Sequence, residues 1–354
     1  MKAGIGHLAD VVRRAFRHNV GMNLPAQLPM SKSRFLSLLS CVLVLAACQG
    51  PQQALKEPGA STKLFSALAG RDVAHEESSF EGDGGLKLFS QSWRPAGEEP
   101  KAVLIVMHGL RDHSSRYAEL AEHLVGQGFA VYAFDLRGHG RSEGVRVYID
   151  SFDQYLSDLG IFLEQVRQRE PGRPVFLMGH SMGGAIVTLF TIEKKPDIQG
   201  LVLSAPALKP GADVSKALIA TTKVVGGILP NLKVLELDPK QFSRDPAVVK
   251  ENETDPLIYQ KGGPARTASR LLSALNTISE RMEEVSTPVL VMHGTADTVT
   301  DPEGSKALVQ RASSKDKTLK LYDGLYHDLL HEPEKAQVTA DVTQWLVQHA
   351  TAAH

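Results

Sequence analysis

The sequence predicts an α/β fold: a mostly parallel central sheet flanked by helices, with a helical cap insertion. Three observations predict it. Apolar runs of strand length alternate with amphipathic helical patterns from about residue 75 onward, a glycine-framed serine turn joins one such run to a helix, and residues 207–284 interrupt the alternation. Alternating β and α patterns imply parallel strands joined by crossover helices, with functional groups on loops at the strands' carboxyl ends.

The elements follow in order. Two extended runs flanking Gly82-Asp83-Gly84-Gly85 read as a β-hairpin. The apolar runs at 102–107, 130–134, 175–178, 201–203, 289–292 and 319–322 read as buried strands, with helices at 117–126, 152–169, 182–193 and 304–312 between them. Within 207–284 no comparable strand run occurs. Apolar stretches at 217–219 and 224–229 and a helical run near 266–283 mark that segment as a helical cap over the sheet's active edge.

Composition narrows the function classes. With 354 residues, 42% of them apolar and 22% charged, the chain has the balance of a globular protein large enough to bury a substantial core. The net charge of −1 hides an asymmetry, because residues 1–48 carry six Lys or Arg against one acid. That leaves 33 basic and 39 acidic residues in 49–354, a sum of −6. Such a body has no excess positive charge to hold a phosphate backbone, so no nucleic-acid partner is expected.

Both cysteines, Cys41 and Cys48, lie in the N-terminal segment, so no disulfide and no thiolate metal site can form beyond residue 48. Residues 30–47 read as a signal peptide: the basic stretch Ser31-Lys32-Ser33-Arg34, then thirteen mostly apolar residues. That run falls short of the roughly 20 residues a spanning helix needs. Leu45-Ala46-Ala47-Cys48 resembles the lipobox of bacterial lipoproteins, whose cysteine is lipidated and opens the mature chain. The resemblance implies a lipid on Cys48, a tether over 48–74, and a place in the bacterial cell envelope. The uncharged Gln49 implies the outer membrane. Residues 1–29 fit this plan badly; translation from Met22 or Met30 would explain them, as would an amphipathic helix carrying Arg13, Arg14 and Arg17.

The motif that carries chemistry is Gly179-His180-Ser181-Met182-Gly183. The pentapeptide alone is weak evidence, since an ordinary glycine-rich turn can match G-x-S-x-G. Its context is strong, because it follows an apolar strand run and opens a helical one, as a nucleophile elbow requires. A serine hydroxyl needs a base to take its proton, and the base needs a carboxylate to orient it. The chain order serine, acid, histidine selects Asp297 and His327, each just after a strand run; Asp301 and His331 are the rivals four residues further on. Two N–H groups must meet the oxygen that becomes negative in the tetrahedral intermediate. Met182, next after the serine, supplies one, and Leu110, in the loop after strand 102–107, supplies the other. His108 reads as a side chain that fixes this loop by hydrogen bonding.

Other chemistries fail on their spacing. Gly138-His139-Gly140-Arg141-Ser142-Glu143-Gly144 lacks the G-x-G-x-x-G pattern, no phosphate-binding loop motif occurs, and neither a H-E-x-x-H nor a Cys/His cluster is present. The sequence therefore implies no cofactor and no metal.

The chain resembles the monoacylglycerol lipase and lysophospholipase-like family of α/β-hydrolases from about Gly82 to the C-terminus. His108-Gly109, Asp112-His113, Arg116-Tyr117, the stretch from Phe134 to Ser142, Gly179 to Gly184, Gly294 with Asp297, and Tyr326-His327 follow the family pattern. In the cap, Leu229-Pro230-Asn231-Leu232, Ser243-Arg244 and Asp255-Pro256-Leu257-Ile258-Tyr259 follow it too. The resemblance implies cleavage of single-chain lipid esters, an acyl tunnel beneath the cap, and substrate contacts from Asp112 and Arg116. Two departures weaken glycerol recognition: the family's cap cysteines are absent, and a second histidine after the catalytic one is displaced, with Leu330 at its place and His331 beside it. The competing scissile bonds are a lysophospholipid ester, a thioester, another carboxylic ester, or the amide cut by related proline aminopeptidases. A noncatalytic lipid-binding protein on this fold would be expected to lack a member of the serine, acid and histidine set, and none is missing. Oligomeric state has no signature in the sequence.

Overall fold

A computed structural model describes residues 67–68, 71–209 and 216–350. The leader, the apolar run, Cys48 and most of the tether lie outside the described residues. The strands are β1 (Ala67–Leu68), β2 (Arg71–Glu81), β3 (Lys87–Pro95), β4 (Ala102–Met107), β5 (Phe129–Phe134), β6 (Val175–His180), β7 (Gly200–Ser204), β8 (Lys233–Leu235), β9 (Gly263–Pro264), β10 (Val289–Gly294) and β11 (Lys317–Tyr322). The helices are α1 (Ala118–Gly126), α2 (Asp153–Arg169), α3 (Met182–Lys194), α4 (Lys216–Ile228), α5 (Pro246–Thr254), α6 (Ala265–Glu280), α7 (Pro302–Arg311) and α8 (Lys335–Ala350). Among the described residues, no helix is long and apolar enough to cross a membrane.

Nine strands form one sheet in the order β1-β2-β3-β5-β4-β6-β7-β10-β11. β1, β2 and β3 pair antiparallel; from β5 to β11 every pairing is parallel. β2 begins at Arg71, four residues before the expected start of the body at 75, because its first residues pair with the far end of β3 and with β1.

The parallel strands read as unbroken apolar runs because both of their faces are covered. Along β4, Val103, Ile105 and Met107 join one core with α2 and α3, while Leu104 and Val106 join the other with α1 and α8. The same alternation runs through β5, β6, β7 and β10. Each of these fully buried aliphatic side chains contributes about 1.5–3 kcal/mol. This sandwich holds the carboxyl ends of β4, β6, β7, β10 and β11 in register along one rim.

The cap departs from expectation in one respect. β8 and β9 form a small antiparallel ladder inside it, with Lys233 opposite Pro264 and Leu235 opposite Gly263. These strands are three and two residues long, too short for a hydrophobic period to reveal them. α4, α5 and α6 make up the helical part, and Asp245 caps α5 by accepting from Ala247 N–H.

Candidate active site

Ser181 occupies the single position between β6 and α3, with φ 53° and ψ −120°. Such a backbone costs a non-glycine residue on the order of 1–3 kcal/mol, so the surroundings must impose it. They do so by closeness. A Cβ at Gly179 would stand 2.4 Å from the Gly183 carbonyl oxygen, and one at Gly183 would stand 2.2 Å from that of Met107. Both obstacles are backbone, so only glycine fits. The elbow is tied to the end of β7, since Ser181 N–H donates to Ser204 O at 3.1 Å and Ser181 O accepts from Ala207 N–H at 3.0 Å.

The loop after β4 passes beside the serine: a Cβ at Gly109 would lie 3.2 Å from that of Ser181. This brings Leu110 next to the elbow, with Met182 opening α3 on the other side. His108 is fully buried and fixes the loop as the sequence suggested. Its Nδ1–H donates to Gly109 O at 2.8 Å and its Nε2 accepts from Leu136 N–H at 2.9 Å. Burial lowers its pKa, which keeps the ring neutral in this pairing.

His327 is fully buried, and its Nδ1–H donates to Asp297 Oδ2 at 2.8 Å. Its Nε2 is buried and makes no hydrogen bond among the described residues, which leaves that nitrogen as an acceptor for a proton. Asp297 is held from all sides. Oδ1 accepts from Val299 N–H at 2.7 Å and Thr300 N–H at 3.0 Å, while Oδ2 also accepts from the Thr300 hydroxyl at 2.8 Å. Burial alone would raise its pKa, but the His327 and His293 rings outweigh that and hold it well below the usual carboxylate range. His180 lies beside His327 with ring centroids 4.7 Å apart and planes tilted by 47°, and burial lowers its pKa to about 4, so it brings no competing charge.

The sequence matches the family described as serine aminopeptidase, S33, over residues 98–334. It is 37% identical over 273 residues to a monoacylglycerol lipase of Mycolicibacterium smegmatis, covering 77% of this chain and 97% of that one. It is 36% identical over 272 residues to the human monoglyceride lipase, covering 76% and 89%. The chain belongs to this family of α/β-hydrolases. Among solved structures, the Paleococcus ferrophilus monoacylglycerol lipase superposes with a TM-score of 0.67 at 34% identity, over 74% of this chain and 99% of that one. This α/β-hydrolase is therefore a serine ester hydrolase.

The rivals for acid and base have other tasks. Asp301 caps α7 by accepting from Glu303 N–H at 2.9 Å and pairs with Lys209 at 3.2 Å. His331 sits in a 3₁₀ turn, with Nδ1 2.8 Å from Asp328 Oδ1 and Nε2 3.1 Å from Arg116 O. Asp112 and Arg116 line a pocket beside Leu110, together with Arg111, Leu237, Phe242 and Ile258. Most of their bonding capacity goes to neighbours. Arg116 pairs with Asp112 at 3.3 Å and Asp328 at 2.8 Å, and the Tyr117 hydroxyl donates to Asp112 at 3.2 Å. Burial pushes the Asp112 pKa up, but Arg116 and the neighbouring His108 and His113 rings together outweigh it and bring the value down to about 2. A second, more polar cleft over β2 and β3, lined by Ser78, Ser90 and Arg169, contains none of these residues.

Two features were not foreseen. His293 is fully buried with Nε2 3.1 Å from Asp297 Oδ2 and Nδ1 2.7 Å from the Ser305 hydroxyl, so the carboxylate serves two histidines. Its place four residues before Asp297, at the end of a strand run, was the available signal. The second is the outward face of the apolar cap stretch 224–229, where Val224 is 58% and Ile228 56% exposed. A helix pattern shows which residues share a face and not what that face meets. The side chains of 217–219 lie outside the described part.

Proposed function

We propose that the protein is a monoacylglycerol lipase in which Ser181, Asp297 and His327 form the catalytic triad. The observation that carries this is the pairing of a buried Asp297–His327 couple, whose outer nitrogen is unpartnered, with a serine on a strained elbow at the same rim. His327 Nε2 takes the Ser181 proton as Oγ attacks the ester carbonyl. Leu110 and Met182 N–H groups receive the oxyanion, and the α3 dipole adds to them. His327 then protonates the leaving glycerol oxygen, and the acyl-enzyme on Ser181 is released by water activated in the same way. Asp112 and Arg116 bound the pocket next to Leu110 and contact the alcohol part of the substrate. The matching relatives named monoacylglycerol or monoglyceride lipase support this substrate class.

The same reading places the enzyme at a membrane. Lipidation of Cys48 anchors it in the cell envelope, in the outer membrane by the uncharged Gln49, with the following residues as tether. Val224 and Ile228, one turn apart on α4 and both exposed, support a cap that rests on the lipid surface. A chain-length series on monoacylglycerols at fixed detergent tests the substrate. Activity rises from short to medium or long chains, each buried methylene adding up to about 0.8 kcal/mol, and triacylglycerols are poor substrates. A flat dependence from acetyl to oleoyl, or faster cleavage of peptide anilides, would overturn it.

A further inference from the structure

We infer that Arg111 is a positioning residue that couples the seating of the cap to the geometry of the oxyanion loop. This rests on the reading of Leu110 N–H as an oxyanion donor. Arg111 shares a peptide unit with Leu110 and stands at φ 68°, in the left-handed region that disfavours an arginine. From there its guanidinium crosses to the cap. Nε donates to Tyr259 O, and Nη1 donates to Leu237 O at 3.2 Å. Leu237 follows β8 and Tyr259 precedes β9, so one side chain ties two separate cap segments through their backbone.

The arrangement is not what stability alone favours. Arg111 is buried and has no carboxylate partner among the described residues, and burying a cation against carbonyl dipoles alone is costly. Its strained backbone adds to that cost. Both are accounted for if the clamp holds the Gly109–Leu110 peptide at a set distance from Ser181. The rest of the loop is fixed on either side. Two residues on, His113 Nε2 reaches Asp255 Oδ2 of the cap at 2.9 Å, and Asp112 joins Arg116 and Asp328, the neighbour of His327. The cap also meets the base directly: the Phe242 ring packs edge-on to His327 at 5.3 Å, and Phe242 O accepts from Asp328 N–H at 2.8 Å. A cap lifted off its seat thus pulls on the oxyanion loop, and a seated cap aligns it.

Arg111→Gly is the informative variant, because glycine relaxes the left-handed backbone and removes only the clamp. Arg111→Lys keeps the charge but replaces the two spaced guanidinium nitrogens with a single ammonium. The measurements are the melting temperature, kcat and KM on a short soluble ester such as p-nitrophenyl acetate, and the affinity of an alkyl boronic acid. The boronate bonds to the serine oxygen and puts an anionic oxygen in the oxyanion hole. The expected result for Arg111→Gly is a melting temperature within about 2 °C of the parent. Its kcat falls about tenfold to a hundredfold at nearly constant KM, with boronate affinity falling in parallel and Arg111→Lys in between. Acetyl ester turnover and boronate affinity within about twofold of the parent would overturn the coupling, even if long-chain KM rose. So would a kcat loss matched by an equal loss of folded, fluorophosphonate-titrated sites. If the parent itself failed to bind the boronate, the oxyanion-hole reading would fall first.

Discussion

Replacing Asp297 by asparagine isolates what the buried carboxylate does, because the replacement conserves shape. Oδ1 accepts two backbone N–H groups, from Val299 and Thr300, so an amide must put its carbonyl there. Its NH₂ group then faces His327 Nδ1, which was donating to Oδ2 at 2.8 Å. To accept from that NH₂, His327 must shift its own proton to Nε2, the nitrogen that has to receive the Ser181 proton. The variant therefore fixes the wrong tautomer and also removes the charge that stabilises the imidazolium. Loss of both functions in a buried triad lowers kcat by about 10⁴, or about 5 kcal/mol of transition-state stabilisation. The assay is p-nitrophenyl butyrate hydrolysis, with folding checked by thermal melting. Asp301→Asn is the control: asparagine caps α7 as well as aspartate does, so activity stays within about twofold. A loss below tenfold for Asp297→Asn, or a larger loss for Asp301→Asn, would refute the assignment.

Other expectations follow from the same geometry. Gly183→Ala drives a methyl to 2.2 Å from Met107 O and 2.6 Å from His108 O, so it destabilises the fold by about 1–3 kcal/mol and displaces the oxyanion loop. Thermal melting and fluorophosphonate labelling both fall; parental values for both would contradict the close approach. Acid should weaken the fold early. His180 is neutral when folded, with its pKa lowered from 6.5 to about 4 by burial, so the unfolded chain takes up that proton first. Stability is lost as pH drops from 6.5 toward 4, by on the order of 3 kcal/mol at the lower limit. His139, lowered by burial to about 3, acts in the same direction. A urea midpoint unchanged between pH 7 and pH 5 would speak against it. Cys48→Ser should abolish acyl labelling and processing at the 47–48 junction; identical processing and no lipid on the parent would exclude the anchor.

Much of this protein is written locally. Each buried strand lies between two helical layers, so its apolar character survives as a run of a few residues, and the strands at 102–107 and 289–292 are visible without a fold. The elbow is equally local, because the crowding that forces glycine at 179 and 183 arises within one strand-turn-helix unit and its neighbour β4. Chain order and strand ends were enough to prefer Asp297 over Asp301 and His327 over His331. α8 was not among the expected helices, although Val338, Val342, Trp345 and Leu346, all buried against the sheet, stand at helical spacing.

Tertiary structure alone decided how the surroundings of those residues are used. Asp112 and Arg116 are substrate contacts by resemblance alone, and the pairing of Arg116 with Asp328 joins residues 212 positions apart. The direction of the α4 apolar face, the short β8–β9 ladder and the reach of Arg111 to two cap carbonyls depend on where the cap docks. Docking is set by contacts between segments more than 100 residues apart. Periodicity and motif spacing describe one segment at a time, so they report which side chains share a face or a turn. What that face meets, and which of two adjacent polar groups a neighbour claims, is fixed only when distant segments close on each other.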